Sequence, residues 1–449
     1  MAPKNIHFIG IGGISQSALA IILKHNGYNV SGSDCTASII TNKLINMGIK
    51  VYIGHNPSNV NGADIVVYSA AIKPDNPEMQ QALKLGLATV SRASMLGTIA
   101  QAHNKVISVS GSHGKTTTTG MLANIFLQAH KNPTVHIGGN LPQIKGNVRV
   151  GSKQYFITEA CEYCDSFLSL QSYYSVVLNI QKDHMDYFKN MSNMQKSFNK
   201  YAKNTNSSGF LIINADDNKC KKLKTNATVI TYGIVNTAHI TAKNIKCNNK
   251  QKYSYSLYVC GVKTAKIKLS VSGKHNIYNS LAAISVAIAE GISIKHIKKA
   301  LRNYKTSQRR FEYIKHNKAT IVHDYAHHPT EIMASINTAK QMCKGKLIVA
   351  FEPHTYSRTK YLYKDFTTCF SGADKLFLCP IYAAREQPIK NITSFKLASA
   401  VAKTGVNAEY VSSLEQCYNS IKDYNKKGNF ILILGAGTIV DLCKKFAKK

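Results

Sequence analysis

Short apolar runs alternate with helical patterns from the start of the chain. A β-rich run at 6–9 leads into a Gly-rich turn and a helical pattern over 15–25. A strand at 28–31, a helix at 38–47 and a strand at 64–68 continue the alternation. Strands that alternate with helices in this way are typical of a parallel sheet with helices on both faces.

A second region repeats this order. A strand at 105–110 passes through a Gly loop into a helix at 116–128. Three further strands are predicted at 155–158, 175–179 and 210–214. The stretch 228–271 alternates polar and apolar residues, which favours an antiparallel sheet, and a helix over 276–289 follows it.

A third region begins near residue 307. Its predicted elements are a helix at 330–341 and strands at 319–324, 346–351, 375–379 and 429–434. With 449 residues, the chain is long enough for roughly three domains. We therefore predict an α/β protein with three domains, at residues 1–103, 104–306 and 307–449, of which the central one has a mixed sheet.

The charge balance is strongly basic. Fifty-seven Lys and Arg against 23 Asp and Glu give a net charge of +34, which favours an anionic partner. The lysines are dispersed without long blocks, so we interpret them as a solvated basic surface and predict no nucleic-acid partner.

The same composition bears on location and metals. No apolar run approaches 18 residues and the N-terminus does not resemble a signal peptide, so we expect no membrane insertion and a cytoplasmic protein. Eleven scattered cysteines are typical of a reducing compartment. Cys161 and Cys164 form a CxxC without a second pair, which argues against zinc.

The clearest chemical motif follows the strand at 105–110. It comprises Gly111, Ser112, His113, Gly114, Lys115, Thr116 and Thr117. Glycines let backbone N–H groups turn toward phosphate oxygens, and the following helix adds its positive N-terminus. Lys115 can span the β- and γ-phosphates and Thr116 can ligate Mg²⁺. Val109 stands where the usual P-loop has its first glycine, but the motif still predicts ATP binding.

A second Gly-rich turn follows the first strand. Gly10, Gly12 and Gly13 open a helix, and Asp34 ends the next strand. This spacing weakly indicates a dinucleotide site. A tight turn without a ligand and a site for a different diphosphate, such as a UDP-sugar, remain open.

Glu159 and His184 follow strands of the second region. Because the ends of parallel strands face one ligand crevice, both are expected near the metal at Thr116. Asn276 and Asn279 lie on one helical face, where their amides suit either an adenine edge or simple capping.

Polar residues also follow the strands of the third region. They are Asp324, His327, His328, His354 and Arg358. Their position indicates a binding face. The adjacent histidines have no spaced carboxylate or cysteine, which favours hydrogen bonding over zinc.

Taken together and in this order, the motifs resemble those of the Mur ligase family over essentially the whole chain. The resemblance rests on IHFIGIGG, GSHGKTTTT, EACEYCDSF, DHMDYF, GKHNIYNSLAA, QRRFE, DYAHHPTE, PHTYSRT and GAGTI. It implies an α/β fold with a Rossmann-like, UDP-sugar-binding N-terminal domain (1–103), a central P-loop-type ATPase domain with a mixed sheet (104–306) and a Rossmann-like C-terminal domain (307–449) that receives an amino acid. The implied reaction joins L-alanine to the lactyl carboxylate of UDP-N-acetylmuramate through an acyl phosphate, with ATP and Mg²⁺.

The resemblance also implies residue roles. Lys115 contacts ATP, Thr116 and Glu159 bind one Mg²⁺, and His184 binds a second. Asn276, Asn279 and Arg310 handle the nucleotide, and Asp324 and Arg358 belong to the C-terminal part of the closed site. The implied substrate contacts are Gly10, Gly12, Gly13, Asp34 and Ser69 for the UDP-sugar and His327 and His354 for the amino acid.

Some positions depart from the family pattern. Thr355 stands where Arg is frequent and Thr438 where Asp is common. Neither Lys196 nor Lys200 falls at the spacing of a carbamylated lysine, so that modification is not predicted.

Three alternatives stay open. A related ligase could add a peptide, Gly or Ser to the same sugar nucleotide. A nicotinamide-dependent oxidoreductase could use the first turn, and a UDP-sugar-binding protein could lack catalysis. We expect a monomer or a weak homodimer.

Overall fold

The computed structural model describes residues 4–314 and 318–447, and the chain forms two compact units. The first unit comprises the residues up to Asn179, together with Lys196–Tyr232 and Ala282–Ala300. The second comprises Ile180–Gln195, Gly233–Leu281 and the residues from Leu301 onward.

The first unit begins with a five-stranded sheet in the order β3-β2-β1-β4-β5, and every pair of neighbours is parallel. Its elements are β1 (Asn5–Ile9), α1 (Ile14–His25), β2 (Asn29–Asp34), α2 (Ile39–Asn46), β3 (Lys50–Ile53), β4 (Ile65–Tyr68), α3 (Pro77–Lys84), β5 (Ala88–Ser91) and α4 (Arg92–Gln101). The predicted parallel sheet is confirmed. Its order reverses between β1 and β4, and open α/β sheets bind ligands at such a switch point.

A second set of elements begins with the predicted Gly loop. The elements are β6 (Lys105–Ser110), α5 (Lys115–Gln128), β7 (Thr134–Leu141), β8 (Gly146–Arg149), β9 (Tyr155–Glu159), β10 (Ser172–Val177), α6 (Met185–Phe188), α7 (Met191–Lys203), β11 (Thr205–Asn214) and β12 (Thr228–Gly233). The strands of the first unit follow the order β12-β11-β10-β6-β9-β7-β8. Neighbouring strands in this order are parallel, except for β7 and β8, which are antiparallel. The central strand β6 therefore ends beside the ends of β9 and β10.

An antiparallel sheet lies in the second unit. Its strands are β13 (Ile240–Cys247), β14 (Lys252–Val259) and β15 (Val262–Ser272), and α8 (His275–Ala289) and α9 (Ile294–Asn303) follow in the chain. The prediction of antiparallel structure from residue 228 was wrong for β12, which pairs parallel with β11. A half-exposed strand alternates polar and apolar residues whichever way its neighbour runs, so the pattern does not reveal direction.

The last sheet follows the order β16-β17-β21-β18-β19-β20 and is parallel except for β16–β17. Its elements are β16 (Glu312–Ile314), β17 (Thr320–Asp324), α10 (Pro329–Met342), β18 (Leu347–Phe351), α11 (Tyr356–Tyr361), α12 (Tyr363–Thr368), β19 (Lys375–Leu378), α13 (Ser394–Ala402), β20 (Ala408–Tyr410), α14 (Leu414–Lys422), β21 (Phe430–Leu434) and α15 (Val440–Ala447). Alternate residues of β21 enter two separate apolar cores, so both faces of the strand are covered.

Among the helices that the structure describes, none is both long enough and apolar enough to span a lipid bilayer.

A buried carboxylate joins the start of three strands in the first unit. Glu290, just after α8, accepts hydrogen bonds from Lys105 Nζ at 3.0 Å, Tyr155 Oη at 2.7 Å and Tyr174 Oη at 2.6 Å. Those partners lie on β6, β9 and β10. Burial alone would raise the pKa of Glu290, but the two tyrosines and the lysine hold it below its usual value. The cluster fixes the end of the sheet opposite the Gly loop.

Replacing Glu290 tests this structural role. Glu290→Ala should lower the free energy of unfolding by about 2–4 kcal/mol, because it leaves a half-buried ammonium and two tyrosine hydroxyls without their acceptor. Urea unfolding measures the change. Asp441→Ala, which breaks the exposed Asp441–Lys444 pair, should change stability by less than about 0.5 kcal/mol. Equal effects of the two substitutions would refute the role assigned to Glu290.

Candidate functional site

The Gly loop after β6 has the backbone shape that its sequence predicts. Gly114 adopts a left-handed conformation at the N-cap of α5, with φ of 87°. Gly111 has φ of 133°, and a Cβ there would lie 3.0 Å from Leu178 Cβ. Both positions therefore favour glycine, and the loop turns sharply into α5, whose first residues include Lys115, Thr116 and Thr117.

Asn179, at the end of the β10 segment, holds this loop. Its side chain accepts a hydrogen bond from His113 N at 2.9 Å and donates one to His113 O at 3.1 Å. Its carbonyl oxygen accepts from Ser112 N at 3.2 Å. The neighbouring strand thus fixes the loop through three backbone groups.

Glu159, the last residue of β9, reaches the start of α5. Its Oε2 accepts a hydrogen bond from Thr116 Oγ1 at 3.1 Å, and its Oε1 accepts one from Gly138 N at 2.6 Å. The structure therefore brings together the hydroxyl and the carboxylate that the sequence assigned to one metal. Both are hard oxygen donors of the kind that Mg²⁺ prefers.

Lys115 is turned back onto its own loop. Its Nζ lies 2.6 Å from Gly111 O, and 2.9 and 3.1 Å from the two carboxylate oxygens of Glu162. Glu162 is completely buried, whereas the Lys115 side chain is partly exposed. The sequence analysis gave Glu162 no role, although it lies three residues after Glu159.

The first Gly-rich turn is stabilised by the next strand. Gly10 N and Ile11 N both donate to Ser33 O, and Gly12 N donates to Asp34 Oδ2 at 2.9 Å. Asp34 thus supports the turn directly, which the spacing argument did not foresee. Gly13 is the N-cap of α1.

Ser69 lies beside this turn, after β4. A Cβ built on Gly10 would lie 3.8 Å from Ser69 Oγ. The structure therefore brings Asp34 and Ser69 close to the Gly-rich turn, at the switch point of the first sheet.

Two residues that the sequence analysis missed flank the same turn. Ser15 Oγ lies 2.9 Å from His136 Nε2 and accepts from Arg92 Nη1 at 3.2 Å. Burial, assisted by the charge of Arg92, lowers the pKa of His136 to about 3, so this imidazole is neutral. Arg92 begins α4 and brings a cation to the start of α1. Neither Arg92 nor His136 belongs to a recognisable sequence motif, so nothing in the sequence indicates that they lie beside this turn.

In the second unit, Arg358 binds Asp183. Its Nε and Nη2 both donate to Asp183 Oδ1 at 3.2 Å, and Nη1 donates to His354 Nδ1 at 3.0 Å. Burial would raise the pKa of Asp183, but the guanidinium of Arg358 and nearby imidazoles hold it well below its usual range. His184 follows in a left-handed conformation with φ of 53°, and its N donates to Asp183 Oδ1. His184, and not Asp183, occupies the N-cap of α6.

Two predicted histidines face each other near Arg358. The ring centroids of His327 and His354 lie 5.7 Å apart. Burial, with a further contribution from Arg358, lowers the pKa of His327 to about 3 and that of His354 to about 4. Both rings are therefore neutral at physiological pH. The adjacent His328 points elsewhere and donates from Nε2 to Lys182 O at 2.9 Å.

Asp324, at the end of β17, accepts a hydrogen bond from Ser335 Oγ at 2.5 Å, and burial raises its pKa. The next residue, Tyr325, carries two guanidinium groups near its ring. Arg309 and Arg310 lie 4.8 and 5.0 Å from the ring centroid. Arg310 Nη1 also lies 4.0 Å from Glu331 Oε1, so Tyr325 and Glu331 both contribute to the position of this guanidinium.

The two amides at the start of α8 bond to each other. Asn279 Nδ2 donates to Asn276 Oδ1 at 2.9 Å, and Asn276 Nδ2 donates to Ser272 O at 2.7 Å. Both side chains are buried. The structure thus supplies a structural role for the pair, and their contact with a nucleotide stays a prediction.

Thr355 departs from usual backbone geometry. It has φ of 67° as the N-cap of α11, and its Oγ1 accepts from Arg358 N at 3.3 Å. Thr438, the other departure, donates from Oγ1 to the buried Glu352 at 2.5 Å. Both threonines therefore help to hold segments around the C-terminal sheet.

Comparison with known proteins identifies the family. Three family profiles match in succession: Mur ligase family, catalytic domain, at residues 5–104; Mur ligase middle domain at 109–287; and Mur ligase, glutamate ligase domain, at 309–437.

Individual relatives match along their whole length. The chain is 45% identical to a UDP-N-acetylmuramate–L-alanine ligase of Clostridium acetobutylicum, over 99% of this chain and 98% of that protein. It is 43% identical to the protein of the same name from Clostridium beijerinckii, with the same coverage. The crystal structure of UDP-N-acetylmuramate–alanine ligase MurC from Thermotoga maritima superposes with a TM-score of 0.84 at 26% identity, covering 99% of this chain and 98% of that one. The chain therefore belongs to the Mur ligase family and has its three-domain α/β fold.

Proposed function

We propose that this chain joins L-alanine to the lactyl carboxylate of UDP-N-acetylmuramate, driven by ATP. Full-length identity of 43–45% to ligases named for this reaction carries the proposal. The arrangement of Lys115, Thr116 and Glu159 at the start of α5 supports it independently. Mur ligases use ATP, and the positive φ angles of Gly111 and Gly114 support the assignment of this loop to the triphosphate.

The nucleotide loop accounts for the first step. The glycines at 111 and 114 permit backbone N–H groups to face phosphate oxygens, and α5 adds its positive end. Lys115 would leave Gly111 O and contact the β- and γ-phosphates. The lactyl carboxylate oxygen then attacks the γ-phosphorus, ADP leaves, and an acyl phosphate forms. Positioning and charge neutralisation supply most of the catalysis in such transfers.

A magnesium ion fits the residues at this strand end. Thr116 Oγ1 and Glu159 Oε2 lie 3.1 Å apart and offer oxygen donors, and we assign His184 to a second ion. Bound Mg²⁺ supplies positive charge to the phosphate oxygens. Glu159 is kept in place by Gly138 N, which orients its carboxylate toward Thr116.

The C-terminal sheet would receive the amino acid. His327 and His354 are neutral, so neither repels an incoming amine at physiological pH. The neutral amine of alanine attacks the acyl carbon to give a tetrahedral intermediate, the nitrogen loses a proton to water, and the C–O bond breaks to release inorganic phosphate. We assign Asp324 and Arg358 to the closed site, and Asn276, Asn279 and Arg310 to the nucleotide.

The remaining assignments extend the same proposal. The turn at Gly10, Gly12 and Gly13, with Asp34 and Ser69, would hold the UDP moiety, because it lies at the switch point of the first sheet. We place the domains at 1–103, 104–306 and 307–449. The enzyme would act in the cytoplasm as a monomer or weak homodimer, without nucleic acid and without insertion into a membrane.

Phosphate release by the purified protein tests the reaction. With ATP, Mg²⁺ and UDP-N-acetylmuramate, release should require L-alanine and proceed more slowly with glycine, L-serine or a peptide. Preference for a peptide would favour the related ligase. NAD(H) binding without phosphate release would favour the oxidoreductase, and sugar-nucleotide binding without turnover a non-catalytic protein.

Replacing Lys115, whose ammonium group lies at the Gly loop, should nearly abolish ligation. Lys115→Ala is expected to lower kcat by at least about 100-fold, because the transferred phosphoryl group loses a cation, while the affinity for UDP-N-acetylmuramate stays nearly unchanged. Steady-state kinetics and calorimetry measure the two effects. Lys84→Ala, at the exposed end of α3, is the matched control and should leave both unchanged. Full activity of Lys115→Ala would contradict the mechanism.

Replacing the carboxylate at the end of β9 should weaken metal use. Glu159→Gln removes one negative charge from the Thr116 site, so half-maximal activity should need about tenfold more Mg²⁺, or more. A Mg²⁺ titration of phosphate release measures this. Glu409→Gln, in an exposed pair with Lys375, serves as control. An unchanged Mg²⁺ requirement in Glu159→Gln would remove Glu159 from the metal site.

A further inference from the structure

Glu162 is a buried charge at the nucleotide loop that the proposed chemistry does not use. Its two carboxylate oxygens lie 3.1 and 2.9 Å from Lys115 Nζ, and its side chain is completely buried. The same ammonium lies 2.6 Å from Gly111 O and 3.3 Å from Ser112 O. Lys115 is therefore docked on the base of its own loop, with Glu162 as counter-ion.

The chain holds Glu162 in place through a strained segment. Cys164 and Asp165 are both left-handed, with φ of 51° and 53°, which is uncommon for residues other than glycine. Asp165 N donates to Glu162 O at 3.1 Å, and the Asp165 carboxylate accepts a hydrogen bond from Ser197 of α7. Before the segment, Ala160 N donates to Val109 O at 2.8 Å and fixes it to β6. Backbone strain of this kind persists where the surrounding contacts enforce it.

Phosphate and Glu162 are competing anions for one ammonium. A triphosphate that engages Lys115 weakens the contact between Nζ and Glu162 and brings further negative charge close to a buried carboxylate. The free energy of the Lys115–Glu162 contact therefore opposes nucleotide binding and lowers the apparent affinity for the nucleotide.

We propose that Glu162 is a positioning residue that binds Lys115 at the base of the Gly loop and competes with the triphosphate for it. This inference rests on the proposed function, because it concerns the same loop. It predicts that removing the charge of Glu162 tightens nucleotide binding, whereas a metal ligand or a purely structural residue would weaken it.

Calorimetric binding of a non-hydrolysable ATP analogue tests the competition. In Glu162→Gln, which keeps the shape of the side chain, the Kd should fall roughly three- to tenfold, and the KM for ATP should fall more than kcat changes. Glu162→Asp keeps the charge but shortens its reach, so its Kd should lie between those of the wild type and Glu162→Gln. An unchanged or higher Kd in Glu162→Gln would overturn the inference.

Glu290→Gln is the matched control. Glu290 is also a buried carboxylate paired with a lysine, but that lysine, Lys105, lies at the opposite end of β6. Glu290→Gln should reduce stability and leave the Kd for the analogue unchanged. An equal fall of the Kd in Glu162→Gln and Glu290→Gln would show that removing any buried negative charge has this effect, and would refute the role of Glu162.

Binding of the analogue to the wild-type protein distinguishes failure of the proposed function from failure of this inference alone. Absence of analogue binding in the wild type would overturn the proposed function together with this inference. Binding in the wild type without tightening in Glu162→Gln would overturn the inference alone. Unchanged affinity for UDP-N-acetylmuramate in each variant verifies that the first domain is folded.

Discussion

The parallel pairing of β6 with β9 and β10 is the constraint on which the candidate site depends. The register of these strand pairs places the end of β6 beside Glu159 of β9 on one side and close to Asn179, two residues after β10, on the other. One neighbouring strand supplies the Glu159 carboxylate that accepts a hydrogen bond from Thr116, and the other supplies the backbone support of the Gly loop. A loop of the same sequence outside this sheet would have neither, because both contacts come from residues distant in the chain.

Paired charges are the second recurring feature. Lys115 with Glu162, Lys105 with Glu290, and Arg358 with Asp183 are each partly or wholly removed from water. A buried charge is costly unless a partner compensates it, so each pair limits where its members can lie. Two of these pairs, Lys115 with Glu162 and Arg358 with Asp183, lie among the residues to which we assign chemistry. The Lys105–Glu290 pair lies at the opposite end of β6 from the Gly loop, and we assign it a structural role in the sheet.

Much of the architecture could be predicted from periodicity. The strand at 105–110 was predicted with the observed bounds, and the helix after it differs by one residue at its start. Short or half-exposed elements, such as β3, β5 and β20, were not predicted, because four or fewer residues carry little pattern. The direction of β12 was predicted wrongly, since alternation reports which face is exposed and does not report the neighbour's direction.

The sequence alone determined the alternation of the longer strands and helices, the glycine positions of the two turns and the family motifs, because these depend on local backbone preferences and residue spacing. Tertiary structure decided which side chains meet. It paired Lys115 with Glu162, brought Arg92 and His136 to Ser15, and turned Asp34 toward Gly12 N. These contacts join residues between 22 and 121 positions apart, and the Lys115–Glu162 pair is separated by 47 positions. Local propensity carries no information about such distances, because only the packing of the strands sets them.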